Sequence, residues 1–434
     1  MYLLATVMAE ITFIGAGSVV FASRLLTDIL HHPELRDSTI CLMDINAERL
    51  ELTDKLARLT VSKHAPKAKV EATLDRREAL KDADYVIIMI QVGGLDAFEQ
   101  DIYIPLKYGV SQEVGDTLGP GGVFRGLRTI PVLLDICRDM EDLCPDALLI
   151  NYANPMAINC WAMNKATRIR NVGLCHSVQG TAMTLARYID VPYEDVTYWV
   201  AGINHQAFFL EYEYKGEDAY PLIREAAGKQ EIYERDKVRF EMMKHLGYFI
   251  TESSHHLGEY VPYFRTTEKR RKRYCEPRWF YLQICKDAWK PHYEHIRKQV
   301  EGEEPIKLTR SHEYGVDIIH SRETGSPCRI NGNVENKGLI TNLPQGSCVE
   351  VPSLVDKNGI QPCHVGNLPS QCAALNRTNI NVQELAVKAA LEEDRTAAMQ
   401  AIMFDPLTSA LLTPEEIDKM VGEMFKAEAQ WIRF

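Results

Sequence analysis

Cysteine and histidine side chains near the middle of the chain could bind a transition metal. Cys175 and His176 follow a short apolar run, and His205 ends the segment 202–205 (GINH). A thiolate and an imidazole together would suit Mn²⁺, Fe²⁺, Co²⁺ or Ni²⁺, with water or substrate oxygens completing the coordination shell. The spacing alone leaves alternatives open, because Cys175 could be a nucleophile and His205 could be a structural histidine.

A second group of titratable residues lies in the segment 251–260 (TESSHHLGEY). It follows an apolar stretch and offers three candidates for a general base, which are His256, Glu259 and Tyr260. Adjacent histidines also occur on surface turns. The segment therefore indicates acid–base chemistry without choosing among these three side chains.

Two further segments place polar side chains where strands are expected to end. The segment 116–122 (DTLGPGG) begins with Asp116, and its glycines and proline predict a loop, which is followed by Arg125 and Arg128. Asn154 comes after a predicted strand. In a doubly wound sheet both segments would lie at the carboxyl edge, where ligands bind. A long surface turn and a turn-forming asparagine are the alternatives.

The start of the chain has the pattern of a dinucleotide-binding turn. A predicted strand leads into the turn, a helix follows it, and a second strand ends at Asp44. Glycines allow a close approach to a pyrophosphate, the helix N-terminus offers free N–H groups, and Asp44 could bind the ribose hydroxyls of NAD. Position 20, where a third glycine would fall, is Val20, and an ordinary strand–helix turn is the alternative. The predicted cofactor-binding residues of the turn are Gly15, Ala16, Gly17 and Ser18.

Strands and helices alternate over the first part of the chain. We predict strands at 11–15, 40–43, 70–73, 85–90, 147–152 and 172–174, and helices at 19–30, 46–62 and 128–143. Pro131 would be tolerated only in the first turn of the last helix. This alternation predicts an α/β fold with a Rossmann-like doubly wound parallel sheet over residues 8–195. A second α+β domain is predicted for residues 196–434, with helices at 239–246 and 382–404.

Composition excludes several classes of protein. The 434 residues are 46% hydrophobic and carry a formal net charge of −11, so the chain lacks the basic face that nucleic acids or anionic membranes require. The basic run 269–273 is therefore interpreted as a solvated helix face or loop. No apolar run approaches the ~18 residues of a membrane span.

Cysteine usage favours a reducing compartment. The chain has 11 cysteines, an odd number without a CxxC motif, which fits neither a disulfide framework nor a zinc ribbon. Residues 1–10 lack the basic start and cleavage site of a signal peptide. We therefore expect a cytoplasmic protein, in which the residues before Met8 are an extension or follow a misassigned start.

Taken together, the segments resemble glycoside hydrolase family 4, whose order they keep over nearly the whole chain. The matching segments are ITFIGAGS (11–18), DTLGPGG with LRTIP (116–131), NYANPM (151–156), GLCHSVQGT (173–181), GINH (202–205), ESSHHLGEY (252–260) and NLPQGSCVEVP (342–352). The resemblance implies a fold like that of lactate and malate dehydrogenases. It also implies two cofactors, NAD and a divalent metal, with Mn²⁺ the first choice.

The resemblance implies a redox mechanism instead of the two-carboxylate hydrolysis used by most glycosidases. NAD would oxidise the hydroxyl at carbon 3 of the sugar, and the ketone would acidify the proton at carbon 2. A base removes that proton, the aglycone is eliminated, water adds, and the hydride returns. A divalent metal bound by sugar oxygens would stabilise the negative charge that develops.

The resemblance also assigns roles to individual residues. Cys175 and His205 match the metal ligands, and Asn154 matches the substrate-binding asparagine. His176 matches the acid for the leaving group, and Tyr260 matches the base at carbon 2, with Glu259 and His256 left open. The proposed role of Asp116 is to donate a proton or orient the sugar.

The residues after Cys175 are similar to those of the alpha-galactosidase type, which makes a phosphorylated sugar less favoured. An alpha-galacturonide is the alternative, with Arg125, Arg128 or Arg265 as the partner of its carboxylate. A plain NAD-dependent hydroxy-acid dehydrogenase and a non-catalytic NAD-binding protein are more distant alternatives. By the same resemblance we expect a homodimer or homotetramer.

Overall fold

A parallel sheet forms the first part of the fold. The computed structural model describes residues 8–434, so the predicted N-terminal extension, residues 1–7, lies outside it. The strands of this sheet are β1 (Glu10–Ile14), β2 (Thr39–Met43), β3 (Lys69–Thr73), β4 (Tyr85–Ile88), β5 (Leu148–Asn151) and β6 (Asn171–Gly173). The helices are α1 (Val19–His31), α2 (Ala47–His64), α3 (Arg76–Leu80), α4 (Gly94–Lys107), α5 (Gly119–Leu143), α6 (Met156–Ala166) and α7 (Ser177–Tyr188).

The strand order confirms the predicted fold class. The strands run in the order β3-β2-β1-β4-β5-β6, and each neighbouring pair is parallel. This is the order of doubly wound dinucleotide-binding folds. Every residue of β4 is buried, as a central parallel strand covered by helices on both faces requires.

Antiparallel strands and further helices form the second part. Its strands are β7 (Val196–Ile203), β8 (Gln206–Tyr214), β9 (Glu217–Asp218), β10 (Cys328–Glu335), β11 (Cys348–Asp356) and β12 (Gly359–Pro362). Its helices are α8 (Tyr220–Ala227), α9 (Gln230–Tyr233), α10 (Lys237–Leu246), α11 (Ser254–Tyr260), α12 (Glu268–Tyr274), α13 (Tyr281–Glu301), α14 (Tyr314–Thr324), α15 (Ser370–Glu392), α16 (Arg395–Met403), α17 (Pro406–Ser409) and α18 (Pro414–Ala427). The mixed character matches the predicted α+β region.

The two parts share one continuous sheet. Strand β10 pairs with β6, β11 pairs with β10, and β7 pairs with β11, each antiparallel. One row of paired residues crosses these four strands, in the order Gly173, Asn333, Glu350 and Gly202. The segments that follow Gly173 and Gly202 are thereby held at the same edge of the sheet. The division at residue 195 stays a prediction.

Two helix predictions were wrong. Residues 119–122 form the first turn of α5 instead of a loop, because Pro120 is acceptable at a helix start. Glycines are needed here, since a Cβ on Gly121 would lie 2.4 Å from the carbonyl oxygen of Gly115. Pro131 lies inside α5, not in its first turn, so α5 runs through a proline that removes one helix hydrogen bond.

The stretch 382–404, predicted as helical throughout, is divided between α15 and α16. Glu393 adopts a left-handed conformation at φ 55°, and the Asp394 carboxylate caps α16 by accepting from the N–H groups of Thr396 and Ala397. The basic run 269–273 lies on the short helix α12, with most of its side chains exposed, as interpreted from the sequence. No helix between residues 8 and 434 is long and apolar enough to cross a bilayer.

Candidate active site

The turn after β1 has the geometry of a nucleotide-binding loop. Gly15 lies at φ 92°, and a Cβ there would be 2.8 Å from the carbonyl oxygen of Met89. The N–H groups of Gly15 and Ala16 both donate to the Met43 carbonyl at 2.9 Å, which ties the turn to the end of β2. Helix α1 begins directly afterwards, and the Ser18 side chain does not cap it. The first-turn N–H groups of α1 are therefore available to an anion.

Asp44 is fixed beside this turn. Its carboxylate accepts from the N–H of Gly17 at 2.7 Å and from the N–H of Asn46 at 2.8 Å. A Cβ on Gly17 would lie 2.7 Å from the Asp44 carboxylate, so the close approach requires glycine. Sequence analysis placed these residues together, and in the structure Asp44 holds the turn through its hydrogen bond to Gly17.

A cleft of about 1890 Å³ extends from the nucleotide turn to the end of β6. At one end it is lined by Gly15, Gly17, Ser18 and Asp44. At the other end it is lined by Asp116, Arg125, Asn154, Cys175, His176, His205, Glu252 and His256. The cleft lies at the carboxyl edge of the parallel strands, where doubly wound folds bind their ligands.

Cys175 and His205 meet in this cleft. Cys175 follows β6, His205 lies in the turn between β7 and β8 at φ 60°, and the Cys175 Sγ is 3.1 Å from the His205 Nε2. Burial raises the pKa of the Cys175 thiol to about 11, and burial followed by the nearby His256 lowers the pKa of His205. A neutral imidazole can offer a lone pair, and a metal ion would displace the thiol proton. The two donor atoms are close enough to bind one ion, so the pair fits a divalent transition metal.

Tyr260 stands behind His205. Its hydroxyl lies 3.3 Å from the His205 Nδ1 and also hydrogen-bonds to the Thr117 hydroxyl. The ring is buried and does not line the cleft, and burial raises the pKa of Tyr260 well above its usual value. The contact to Nδ1 orients the imidazole so that Nε2 points towards Cys175.

Asp116, Asn154 and His256 form a polar group beside His205, whose ring centroid is 4.6 Å from that of His256. The Asn154 side-chain amide donates to Asp116 at 2.9 Å, and the His256 Nε2 lies 3.9 Å from the other Asp116 oxygen. The His256 Nδ1 is 2.5 Å from the Glu252 carboxylate. Burial opposes protonation of His256, but Glu252 raises its pKa to about 9. Burial likewise opposes ionisation of Glu252, but His256 lowers its pKa well below the usual value.

Glu259 has a structural task. Its carboxylate accepts from the N–H groups of Val114 at 2.8 Å and Gly115 at 3.0 Å, and also from the N–H of Glu113. The side chain is buried and does not line the cleft. Glu259 therefore fixes the segment that carries Asp116.

His176 lies at the mouth of the cleft. Its side chain is 70% exposed, and its Nδ1 is 3.7 Å from Glu313. Burial raises the pKa of the Glu313 carboxyl. His176 thus faces solvent, whereas the Cys175 thiol contacts His205 inside the cleft. Sequence analysis did not identify Glu313, whose surroundings carry no motif.

Glu350 is a second residue that the sequence did not single out, although it lies in the segment 342–352. Its side chain is fully buried and lies beside Cys175 and His205 in the row of paired residues that joins their strands. The Asn333 amide donates to it at 3.4 Å. Burial, and then the neighbouring Cys175, raise its pKa well above the usual value.

The three arginines considered as partners of a uronic acid carboxylate differ in whether their guanidinium groups line the cleft. Arg128 is fully buried and forms ion pairs with Asp101 and Glu428, at 2.8 Å for the latter. Arg265 is buried away from the cleft and donates to the Ser111 carbonyl at 2.8 Å. Arg125 lines the cleft, is 8% exposed, and has an Nη1 atom without a hydrogen-bond partner.

The strand order, the glycine turn and the Cys–His pair define a dinucleotide-binding type of fold with a second reactive centre at the far end of its cleft. Models of family 4 glycosyl hydrolases match residues 10–191, and models of their C-terminal domain match residues 200–408. The chain therefore belongs to glycosyl hydrolase family 4 and is a glycoside hydrolase.

Characterised relatives match almost the whole chain. The alpha-galactosidase of Bacillus subtilis (strain 168) is 42% identical, covering 98% of this chain and 99% of its own length. The alpha-galactosidase of Rhizobium meliloti (strain 1021) is 38% identical, covering 98% and 89%. The alpha-galacturonidase of Thermoanaerobacterium saccharolyticum is 30% identical, covering 97% and 96%.

Solved structures agree with the fold. The lplD protein of Bacillus subtilis superposes with a TM-score of 0.86 at 27% identity, covering 96% of this chain and 99% of its own. A 6-phospho-alpha-glucosidase from gut microorganisms, solved with NAD and Mn²⁺, has a TM-score of 0.83 at 22% identity and covers 98% and 99%. Malate dehydrogenase from Plasmodium falciparum has a TM-score of 0.52 at 12% identity, covering 91% and 100%, and this likeness shows the fold alone.

Proposed function

We propose that the chain is an alpha-galactosidase that uses NAD and a divalent metal to cleave its substrate by oxidation, elimination, addition and reduction. The observation that carries the proposal is the pairing of Cys175 and His205 at 3.1 Å, in the same cleft as the nucleotide turn. The identity to two alpha-galactosidases, at 42% and 38%, supports the sugar.

The nucleotide end of the cleft would bind NAD. The uncapped N–H groups at the start of α1 would hold the pyrophosphate beside Gly15, Ala16, Gly17 and Ser18. Asp44 would bind the ribose hydroxyls, and its negative charge would repel a 2′-phosphate, which favours NAD over NADP.

Cys175 and His205 would hold the metal, for which Mn²⁺ is our choice because a related glycosidase was solved with it. When bound, NAD would accept and return a hydride at carbon 3, and the metal would stabilise negative charge on the sugar oxygens. The fully buried Glu350 carboxyl lies beside both ligands, and Tyr260 fixes the orientation of His205.

The remaining cleft residues would position the sugar and move protons. Asn154 and Asp116 form one hydrogen-bonded unit that faces the metal ligands, and they would orient the sugar hydroxyls. His176, exposed at the mouth, would protonate the leaving group. His256, whose two ring nitrogens face Glu252 and Asp116, would hold Asp116 in place.

Tyr260 is our candidate for the base at carbon 2. Its hydroxyl hydrogen-bonds to Thr117 and lies near the His205 Nδ1, which carries the ring proton when Nε2 binds the metal and would donate to a phenolate oxygen. Because burial raises the pKa of the phenol, the phenolate forms only if positive charge is nearby. The hydrogen bonds of the Glu259 carboxylate to backbone N–H groups favour Tyr260 over Glu259 for this role.

The test is hydrolysis of p-nitrophenyl alpha-galactoside by enzyme stripped of nucleotide and metal, with Mn²⁺, NAD and a thiol omitted in turn. We expect cleavage to be lost on each omission, because NAD and the metal are both required and an oxidised Cys175 is a poor ligand. Cleavage that persists without NAD would contradict the mechanism. Net NADH formation from a hydroxy acid without glycoside cleavage would indicate a dehydrogenase.

An alpha-galacturonide is the second candidate substrate. Arg125 favours it, because this buried guanidinium lines the cleft with an unpartnered Nη1 that a carboxylate could accept from. If the galactoside is not cleaved under any condition, the same omissions with a p-nitrophenyl alpha-galacturonide separate the two substrates.

The cellular setting is proposed from the cysteines. Every cysteine lies within the described residues and is a free thiol in the structure, which suits the reducing cytoplasm. A homodimer or homotetramer is proposed from the family resemblance. Size-exclusion chromatography with light scattering measures the oligomeric state.

A further inference from the structure

A group of metal-binding side chains lies outside the active-site cleft. His32 follows α1, Glu34 lies in the short 3₁₀ turn after it, and His320 lies on α14. Among residues 8–434, these three are the one group of His, Cys, Asp or Glu side chains whose ligand atoms all lie within 4.8 Å of one another. None of them lines the cleft. Since α1 runs away from the nucleotide turn for 13 residues, the group is about 20 Å from it.

The side chains of this group make only long polar contacts with one another and with their neighbours. The imidazoles of His32 and His320 stack with ring centroids 4.3 Å apart, and the His320 Nε2 is 3.5 Å from the Glu34 carboxylate. The His32 Nε2 is buried and has no hydrogen-bond partner; its nearest carboxylate, that of Asp317, is 3.7 Å away. A buried ring nitrogen without a partner loses free energy that a metal ion would restore.

We propose that His32, Glu34 and His320 form a second metal site, selective for Zn²⁺ or a similar borderline ion. Two imidazoles and one carboxylate are a known zinc ligand set, and imidazole ligands disfavour Mg²⁺ and Ca²⁺. Asp317 is held by an ion pair with Arg310, and its carboxylate faces the same His32 Nε2 that would bind the ion, so it adds negative charge beside the site.

The site would fasten distant parts of the chain together. His32 and Glu34 belong to the connection between α1 and β2, whereas His320 lies on a helix of the second part. An ion bound by all three would stabilise the folded state, because the unfolded chain does not hold these side chains together. This site does not depend on the proposed glycosidase function.

The test counts zinc bound to the full chain after equilibrium dialysis against Zn²⁺. The variants are His320→Gln, Cys175→Ser and the double variant that combines them. The matched control is His31→Gln, which replaces the exposed histidine next to His32. We expect His320→Gln to bind about one zinc ion fewer than His31→Gln. Cys175→Ser should retain the zinc that the double variant loses, which separates this site from the active site.

Thermal unfolding and activity complete the test. Zn²⁺ should raise the unfolding temperature of Cys175→Ser by a few degrees and leave the double variant unchanged. The Mn²⁺-dependent glycosidase activity of His320→Gln should equal that of His31→Gln. If His320→Gln unfolds at a lower temperature without metal, His32→Gln takes its place in the same comparison. Equal zinc content in Cys175→Ser and the double variant would overturn the proposal. Equal zinc content in His320→Gln, or its substitute His32→Gln, and the control His31→Gln would also overturn it.

Discussion

The nucleotide turn and the Cys175–His205 pair are built in different ways at the two ends of one cleft. The turn is formed by neighbouring residues and fixed mostly by backbone hydrogen bonds, with Asp44 joining from the next strand. Cys175 and His205 instead come from a parallel strand end and an antiparallel turn. They meet because one row of paired residues links β6, β10, β11 and β7.

Because the two ends are built from different segments, substitutions at one end should leave the other end intact. Local backbone geometry sets the affinity for NAD, whereas the assembled side chains set the chemistry.

The largest effect is expected from Cys175→Ser. Removing the thiolate should abolish metal-dependent turnover, lowering kcat/KM for p-nitrophenyl alpha-galactoside by about 10³-fold or more. NAD affinity, measured by fluorescence titration, should stay unchanged because the nucleotide turn is separate. Cys363→Ser is the matched control, since Cys363 does not line the cleft. Full activity of Cys175→Ser would remove Cys175 from the metal site.

Tyr260→Phe should produce the next largest loss. Removing the hydroxyl eliminates the candidate base, so kcat should fall by about 10²-fold to 10⁴-fold. KM and NAD affinity should change little, because the substitution keeps the buried ring and removes only the hydroxyl. Thr117→Val serves as the control for loss of the same hydrogen bond. If Thr117→Val reduces kcat as much as Tyr260→Phe, the role of Tyr260 is positional.

Asp44→Ala should act at the opposite end. Losing the contact to the ribose and the hydrogen bond to Gly17 should weaken NAD binding by about 10-fold to 100-fold. Activity at saturating NAD should approach that of the wild type, since the Cys175–His205 pair is untouched. Unchanged NAD affinity would place the ribose elsewhere.

Arg125→Met should have the smallest effect on a galactoside and a larger one on a galacturonide. A neutral sugar does not need the guanidinium, so its kcat/KM should fall by less than about 10-fold, whereas a bound carboxylate would lose a charged hydrogen bond. The ratio of kcat/KM for the two substrates measures the difference. A tenfold or greater loss confined to the galacturonide would support that substrate.

The sequence was sufficient to predict the fold and the nucleotide turn. The strand and helix periods are local, and so is the cap of α2, in which the Asn46 side chain accepts from the N–H of Arg49. The start of α5 was missed because glycine and proline usually mark a loop. Here they are required by close backbone contacts that appear only in the folded chain.

The Cys175–His205 end of the cleft could not be predicted from local sequence patterns alone. The spacing of Cys175 and His205 did not predict their contact, and the family resemblance supplied it. Glu350 was overlooked because a carboxyl on a strand gives no sign that it will be fully buried beside Cys175 and His205. Choosing among His256, Glu259 and Tyr260 required their hydrogen-bond partners, since Glu259 looks like a base in the sequence but holds a loop in the structure.

The most direct test of the redox mechanism is the position of deuterium in the product after cleavage of p-nitrophenyl alpha-galactoside in D₂O. Removing the proton from carbon 2 and adding water to the alkene should place solvent deuterium at carbon 2 of the released galactose, detected by NMR. Hydrolysis by paired carboxylates breaks no C–H bond. Galactose released by an active enzyme without deuterium at carbon 2 would contradict the account.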